Sequence, residues 1–515
     1  MDPDERPGNR EKLSRMNDEE IVKFFEKEEV LLSPDAVEFL KEKNDDSLLR
    51  KILERRGEEI FISKEFIEQL IDEEKKIPLP TVEVKRASDF KPVAKEYSSN
   101  LKFMEEYDVS GKCNCGGSVE DFVNLFRDRL KRTRRMLEMR VGATGISNVG
   151  ELGGFAKGRE VRIVGMVTSK IITKNGHILI ELESEEGIAK VLALKSEREP
   201  ERSCFEKANS LLLDEVIGID GRVSEPFVMA KDIIWPDLPI RNVKVIDRDL
   251  CIAFLSDLHI GSRFFLQEHF QKMLGWLNGE MDGQNGRELV GKIKYLVIAG
   301  DLVDGIGIYP EQEKELVMKD IYEQYDMFLK FISSIPDYIE VIVSPGNHDA
   351  VRRAEPQPSL PKELIKAHDG RTHLVGNPSF VEIEGFKTLV YHGTSLDSII
   401  AGISGMSYQH PEKPMVELLK RRNLSPIYGE NPIVPENKDY MLLEEVPDIV
   451  HMGHVHKNGY ENYKGTVVIN SGTWQDQTDF QVRQGHTPSP CVMPILDLRS
   501  GRINIVNFLT KGAGV

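Results

Sequence analysis

The stretch IEVIVSPGNHDA, residues 339–350, places an amide, an imidazole and a carboxylate directly after a run of β-branched residues. The apolar run is typical of a buried strand, and Gly346 permits a turn at its end. Polar side chains in such a turn either cap it or belong to a functional site. Asn347 and His348 alone do not decide between these interpretations. The residues at the ends of the other predicted strands do.

From Leu250 onward, strand-like apolar runs alternate with helical patterns, and most of the runs end in a polar turn that contains glycine. The runs are CIAFLSD (251–257), YLVIAGD (295–301), IEVIVSPG (339–346), TLVYHG (388–393), DIVHMGH (448–454) and GTVVINSG (465–472). This alternation predicts an α/β layered domain whose strand ends deliver polar groups to one edge, where such folds place their sites.

The turns after these runs supply carboxylate, imidazole and amide groups but no thiolate. Such donors suit Mn²⁺, Fe²⁺, Zn²⁺ or Mg²⁺. Seven candidate ligands exceed the needs of one ion and match a pair of ions that share a bridging carboxylate. The candidate ligands are Asp257, His259, Asp301, Asn347, His392, His454 and His456.

Each motif taken alone is more often structural than functional. A strand-terminal aspartate commonly caps a turn, and a single histidine such as His392 is usually packed in a core. The order of the motifs changes this balance, because all five follow hydrophobic strands within one domain. They also contain five of the twelve histidines of the chain. We therefore interpret the set as a metal site.

Composition limits the remaining functions. A chain of 515 residues predicts several domains, and no apolar run approaches the length of a membrane span. The charged start MDPDERPGNREKL predicts that there is no secretory signal, and five cysteines without a disulfide framework favour the cytoplasm.

Cys113 and Cys115 are too few to close a zinc site. A net charge of −17 predicts that the chain alone binds DNA weakly.

The first 150 residues are predicted to hold a helical module and a linker. Residues 1–75 show short helical patterns, in which Ser33 and Ser63 are candidate N-caps and Pro34 a first helical residue. Residues 76–150 form the linker, which contains one helix capped by Ser118. The basic residues of this helix favour either a solvated face or a phosphate contact: Arg127, Arg129, Lys131, Arg132, Arg134 and Arg135.

Five short β-branched runs between residues 151 and 245 predict a small barrel of the oligonucleotide-binding type. Such barrels bind single strands through exposed aromatic residues, but only Phe227 and Trp235 are visible candidates here. We therefore expect a structural or docking barrel. Residues 246–515 form the α/β domain, predicted as a two-sheet sandwich flanked by helices.

The order DLH, GDLVD, GNHD, HG and GHVH resembles that of the calcineurin-like metallophosphoesterases. Two further features make the resemblance more specific than one to the phosphoesterases as a whole: the segment from Met415 to His456 and the preceding barrel. Together they are similar to the small subunits of the archaeal family D DNA polymerases, whose architecture is shared by the B subunits of eukaryotic replicative polymerases. Those B subunits typically have eroded metal motifs, whereas none is eroded here.

The resemblance implies a proofreading 3′–5′ exonuclease with two divalent metal ions, Mn²⁺ first among them. It implies that His348 stabilises the transition state or protonates the leaving 3′ oxygen. One ion would be held by Asp257, His259, Asp301 and His456, and the second by the bridging Asp301 with Asn347, His392 and His454. The implied partners are a large catalytic polymerase subunit in a heterodimer or larger complex, single-stranded or mismatched DNA 3′ ends, and a sliding clamp, with no membrane.

The sequence leaves two alternative functions open. The first is a generic metallophosphoesterase acting on nucleotides or phosphoproteins, for which the barrel and the helical module would be idle. The second is a non-catalytic scaffold that docks the large polymerase chain. The sequence contains no GxxxxGK[ST] loop and no recognisable polymerase domain, so DNA synthesis would belong to a separate subunit.

Overall fold

The computed structural model divides the chain into two compact units, Met1–Thr81 and Val82–Val515. No helix in the described part of the chain is long and apolar enough to cross a membrane. The described residues are 18–27, 30–43, 48, 52–53, 61–68, 87, 89–142, 145–280, 284–365, 370–483 and 485–509.

The first unit contains helices and two short strands that pair with each other. Its elements are α1 (Asp18–Glu26), β1 (Leu31–Leu32), α2 (Pro34–Lys43) and β2 (Phe61–Ile62), and the two strands pair in parallel. Both predicted caps are present, because Ser33 Oγ accepts from the Ala36 N–H and Ser63 Oγ from the Phe66 N–H. The strand pair was not predicted, since two residues carry no readable period. The predicted helical pattern beyond residue 68 lies outside the described residues.

The segment predicted as a linker contains a strand as well as the expected helix. Strand β3 (Leu101–Phe103) pairs antiparallel with Val381–Ile383, so the linker prediction is wrong for these residues. Their partner lies far away in the sequence and leaves no local signal. Helix α3 (Val119–Val141) begins as predicted at Ser118, which forms a reciprocal capping box with Asp121.

The predicted barrel is confirmed as a closed, five-stranded structure with the order β4-β5-β6-β8-β7. Trp235 is buried and donates through Nε1 to Glu215, which also pairs at 2.7 Å with the buried Arg421. Trp235 therefore faces the protein and not a nucleic acid. The elements are β4 (Glu160–Ile172), β5 (Ile178–Ser184), β6 (Gly187–Ala193), α4 (Glu201–Asn209), β7 (Val216–Ser224) and β8 (Phe227–Ile234).

The rest of the second unit forms two six-stranded sheets within the described residues, with the orders β12-β11-β10-β9-β18-β19 and β16-β17-β15-β14-β13-β3. The strands are β9 (Cys251–Leu255), β10 (Ile293–Ala299), β11 (Glu340–Ser344), β12 (Thr372–Leu374), β13 (Ser379–Ile383), β14 (Phe386–Val390), β15 (Ile449–Met452), β16 (Asn458–Tyr463), β17 (Thr466–Ser471), β18 (Val492–Asp497) and β19 (Ile503–Asn507). The helices are α5 (Gln267–Leu277), α6 (Gln284–Gly291), α7 (Ile321–Ser333), α8 (Leu396–Gly402), α9 (Glu412–Arg421) and α10 (Asp479–Arg483).

Parallel pairing explains why polar groups gather at one end of these sheets. Strands β9, β10 and β11 are parallel neighbours, as are β14, β15 and β17 in the other sheet. Strands β9 and β10 are buried along their whole length, which accounts for their unbroken apolar runs. The carboxyl ends of parallel neighbours lie at the same edge of a sheet, and the candidate ligands follow those ends.

The basic residues of α3 divide between the surface and the interior. Lys131 and Arg135 are exposed, as a solvated face requires. Arg129 is fully buried, with Nε 2.8 Å from Asp439 Oδ2, and Arg132 contacts Glu444 at 2.7 Å. Neither expectation for the helix holds for these two arginines, because a helical pattern shows the charge of a residue but not its distant partner.

We expect Asp439→Ala to lower the free energy of unfolding by about 3 kcal/mol, because it leaves the Arg129 guanidinium buried without its counter-charge. The matched control is Asp247→Ala, which breaks the exposed 2.9 Å pair with Arg499 and should change the free energy by less than about 0.5 kcal/mol. Urea denaturation monitored by circular dichroism measures both changes. Equal shifts of the two variants would contradict the buried pair.

Candidate metal centre

Five of the seven candidate ligands have a left-handed backbone. Residues with a Cβ atom adopt this conformation rarely and at a cost, so it persists only where the surrounding structure imposes it. Here the turns are tied to the neighbouring strand end, since the Asp257 N–H donates to Gly300 O and the His259 N–H to Asp301 O. The φ values are 52° at Asp257, 52° at His259, 51° at Asp301, 68° at His454 and 54° at His456.

Asp257, His259 and His456 form the first ligand group. One candidate donor atom from each lies within 4.8 Å of the others, and all three residues are buried. His259 Nε2 lies 3.0 Å from His456 Nε2, and His456 Nε2 lies 3.4 Å from Asp257 Oδ1. Two ring nitrogens that face each other at this distance converge on one point, as ligands of a shared cation do.

The second group gathers around Asn347. Its Oδ1 lies 2.9 Å from His392 Nε2 and 3.1 Å from His454 Nδ1. Asp301 lies between the two groups, with Oδ2 3.3 Å from His392 Nε2 and 3.7 Å from His259 Nε2. The structure thus brings all seven predicted ligands together, with Asp301 between the two groups.

Three of the histidines have their outward ring nitrogen next to an oxygen. His259 Nδ1 lies 3.0 Å from Asp304 Oδ1, and His392 Nδ1 lies 2.8 Å from the Ala299 carbonyl. In His454 the roles of the nitrogens are exchanged, because Nε2 lies 3.0 Å from Asp397 Oδ2 while Nδ1 faces Asn347. A neutral ring that donates to its outer oxygen presents a lone pair to the centre, which is the form that binds a metal.

Asp304 is a residue of the site that the sequence analysis missed. It accepts from His259, and its carboxylate also accepts from Gln312 Nε2 at 3.0 Å and from Gln475 Nε2 at 3.3 Å. A signal was present, since Asp304 is the second aspartate of the GDLVDG turn. Its role depends on which nitrogen of His259 faces the centre, and the sequence does not carry that information.

His348 stands beside the two groups. Its Nδ1 lies 2.8 Å from the Asp304 carbonyl oxygen, and its backbone N–H donates to Asp301 Oδ1 at 2.9 Å. Its Nε2 lies 4.0 Å from Asp301 Oδ2, and the side chain is 15% exposed. With His259 and Asp304 it forms a third cluster whose donor atoms lie within 4.8 Å of one another.

Positive charge compensates the buried carboxylates. Burial acts to raise the pKa of Asp301, but His392 and His348 outweigh it and hold that pKa well below its usual range. Burial acts to lower the pKa of His392, but Asp301 and Asp257 outweigh it and raise that pKa to about 10. The carboxylates therefore stay ionised and favour cations at the centre. Oxygen and imidazole donors without thiolate fit divalent metal ions.

Archaeal relatives match most of the chain. The DNA polymerase II small subunit of Methanocaldococcus jannaschii is 42% identical, covering 80% of this chain and 69% of the relative. That of Archaeoglobus fulgidus is 44% identical, covering 74% and 76%, and that of Methanothermobacter thermautotrophicus is 36% identical, covering 93% and 98%. The chain belongs to the family of archaeal DNA polymerase II small subunits. The family resemblance predicted from the motifs is thereby confirmed.

The family model for the B subunits of DNA polymerases alpha and epsilon matches residues 252–459, a range that contains all seven candidate ligands. Among solved structures, an archaeal phosphodiesterase covers 50% of this chain and 99% of its own, with a TM-score of 0.26 and 16% identity. That structural similarity is too weak to bear on function.

Glu355 is a buried carboxyl that supports the strand end next to His392. Its Oε2 accepts from the Tyr391 hydroxyl at 3.0 Å, and the same hydroxyl lies 3.1 Å from Ser395 Oγ. Burial raises the pKa of Glu355 to about 7. Folding therefore favours the protonated form of this residue at mildly acidic pH.

We expect the wild-type protein to lose about 3 kcal/mol of stability between pH 4.5 and 7 through Glu355, because its pKa is higher in the folded than in the unfolded state. Glu355→Gln removes this loss and should be the more stable protein above pH 7, with little difference below pH 4.5. Urea midpoints across this pH range give the measurement, and Glu313→Gln at an exposed site is the control. Parallel pH curves for wild type and Glu355→Gln would exclude the raised pKa.

Proposed function

We propose that this chain is a metal-dependent 3′–5′ exodeoxyribonuclease within an archaeal family D DNA polymerase, where it removes mismatched 3′ ends by hydrolysing phosphodiester bonds. The observation that supports this is the convergence of six oxygen and imidazole donors around the Asp301 carboxylate, which lies 3.3 and 3.7 Å from histidines of the two groups. A carboxylate shared in this way suits a pair of cations, the arrangement used to hydrolyse phosphoesters.

In this proposal Asp257, His259 and His456 would hold one divalent ion, Asn347, His392 and His454 would hold the other, and the Asp301 carboxylate would be shared between them. Bound cations supply positive charge that offsets the phosphodiester and make hydroxide available near neutral pH. We propose Mn²⁺ as the bound ion. Mg²⁺, Fe²⁺ and Zn²⁺ also suit donors of these types. The side chains of the site orient the phosphodiester relative to these charges.

His348 is proposed as the catalytic residue. Its Nδ1 is engaged by the Asp304 carbonyl, which leaves Nε2 for the substrate. From there it donates a proton to the departing 3′ oxygen or a hydrogen bond to a phosphoryl oxygen in the transition state. Its partial exposure allows a substrate to reach it, whereas the ligand His392 is fully buried.

A large catalytic subunit is the proposed partner, because the relatives are named small subunits of a DNA polymerase. DNA is the proposed substrate, and the net charge of −17 means that the metal ions or the partner must supply positive charge to hold it. The sliding clamp remains a prediction. Assays on the chain alone and on its complex with the large subunit separate the contribution of the partner.

Asp301→Ala is expected to abolish the binding of both ions, because this carboxylate contacts both ligand groups. Isothermal titration with Mn²⁺ should show two sites in the wild type and none of comparable affinity in the variant. Asp326→Ala, at an exposed position of α7, is the control and should bind as the wild type does. Two intact sites in Asp301→Ala would rule out the bridge.

His348→Ala is expected to keep Mn²⁺ binding and to lose at least about 100-fold in kcat on a mismatched 3′ end, because it removes a proton donor and no proposed ligand. His410→Ala, at an exposed histidine, should retain wild-type turnover. Product release from labelled DNA, compared with a small chromogenic phosphodiester, gives the rates. Wild-type turnover in His348→Ala would remove its assigned role, and a wild type that cleaves only the chromogenic ester would refute the exonuclease.

A further inference from the structure

Asp397 contacts the proposed metal centre from outside the predicted ligand set. It lies in the first turn of α8, and its side chain is 52% exposed. Both carboxylate oxygens are nevertheless engaged, because Oδ2 lies 3.0 Å from His454 Nε2 and Oδ1 accepts from the Tyr408 hydroxyl at 3.0 Å. An exposed carboxylate held at both oxygens has a defined direction, which isolated surface charges generally lack.

His454 is unusual among the candidate ligands because its Nδ1 faces the centre. In His259 and His392 the inward atom is Nε2, and the proton of a neutral ring can reside on Nδ1. The neutral His454 ring must instead carry its proton on Nε2 if Nδ1 is to offer a lone pair. The correct tautomer of His454 is therefore the reverse of that of its neighbours.

The surroundings of His454 Nδ1 would also stabilise the other tautomer, in which Nδ1 carries the proton. Asn347 Oδ1 lies only 3.1 Å away and would accept a hydrogen bond from a protonated Nδ1. Such a bond would occupy two proposed ligand atoms at once. The ionised Asp397 offers the opposite nitrogen a stronger acceptor, since hydrogen bonds to a charged carboxylate are shorter and stronger than those to a neutral amide.

Tyr408 keeps Asp397 in this position. Its hydroxyl donates to Oδ1, and its ring packs against the largely buried His486, with 5.2 Å between the ring centroids. Without this contact, rotation about the side chain of Asp397 would exchange its bond to His454 for water. The order of contacts is thus Tyr408 to Asp397, Asp397 to His454, and His454 to the second ligand group.

We infer that Asp397 is a positioning residue that fixes the proton of His454 on Nε2 and so directs the Nδ1 lone pair to the second cation of the proposed centre, with Tyr408 holding Asp397 in place. This inference rests on the proposed function for the identity of the ligand. It assigns Asp397 no contact with the substrate.

The tautomer is tested on the full-length, metal-free protein by ¹⁵N NMR of its histidine side chains, with the His454 signals assigned from a His454→Gln spectrum. The pH is set high enough for the His454 ring to be neutral, because burial acts to lower the pKa of that ring but Asp397 outweighs it and raises that pKa. We expect the Nε2–H form in the wild type and loss of that preference in Asp397→Leu. Asp397→Asn offers only a neutral amide oxygen, as Asn347 does at Nδ1, so it should show a preference between those of the wild type and Asp397→Leu. An unchanged His454 signal in Asp397→Leu would overturn the inference.

Metal binding gives a second readout that does not depend on turnover. In a Mn²⁺ titration we expect Asp397→Leu to weaken one of the two sites by about 10-fold or more and Asp397→Asn to weaken the same site to a smaller extent. Tyr408→Phe should weaken the same site less than Asp397→Leu does. Asp326→Leu, on the exposed face of α7, is the matched control, and thermal melts confirm that each variant is folded.

The outcomes separate this inference from the proposed function. Two sites of wild-type affinity in Asp397→Leu would overturn the positioning role while leaving the exonuclease proposal standing. A wild type that binds no Mn²⁺ would refute the proposed function, and the metal-free imidazole spectrum would then decide alone whether Asp397 holds the tautomer. A general loss of stability would weaken both metal sites equally and would also count against the inference.

Discussion

The burial of two carboxylates at adjacent strand ends is the constraint on which the site depends. Asp257 and Asp301 are almost completely shielded from water, and like charges in that environment repel each other strongly. Imidazoles from both sheets lie next to these carboxylates. His392 and His348 lower the pKa of Asp301, and Asp301 and Asp257 raise the pKa of His392. Bound cations would balance the same negative charge, so the proposed divalent ions would relieve the repulsion between these two carboxylates.

The buried carboxylates and two of the imidazoles that balance their charge come from different sheets. The carboxylates follow β9 and β10 of one sheet, whereas His392 and His454 follow β14 and β15 of the other. The ends of the parallel strands of both sheets lie close together in space although some two hundred residues separate them in the chain. The barrel and α3 attach to the α/β part of the second unit through buried ion pairs, such as Glu215 with Arg421, and Trp235 donates to the same Glu215.

Much of the candidate site could be predicted from the sequence, because each ligand follows an apolar run and the types of the ligands are chemically consistent. The sequence could not show which ring nitrogen faces the centre, and for that reason Asp304 and Asp397 were missed. Arg129 was misassigned for a related reason, since helical periodicity locates a charge on a face but not its remote counter-charge. The roles of the seven ligands and of His348 remain predictions that metal titration and kinetics decide.

Strand β3 makes the barrel an insertion between strands of the two sheets. The chain enters the second sheet at Leu101–Phe103, leaves to form α3 and the barrel, continues into β9 of the other sheet, and returns to the second sheet at β13. A fragment cut at residue 246 would leave the β13 edge with unpaired N–H and C=O groups, a known template for aggregation. It would also separate pairs that lie almost three hundred positions apart, so this sheet can be completed only late in synthesis, after the barrel has left the ribosome.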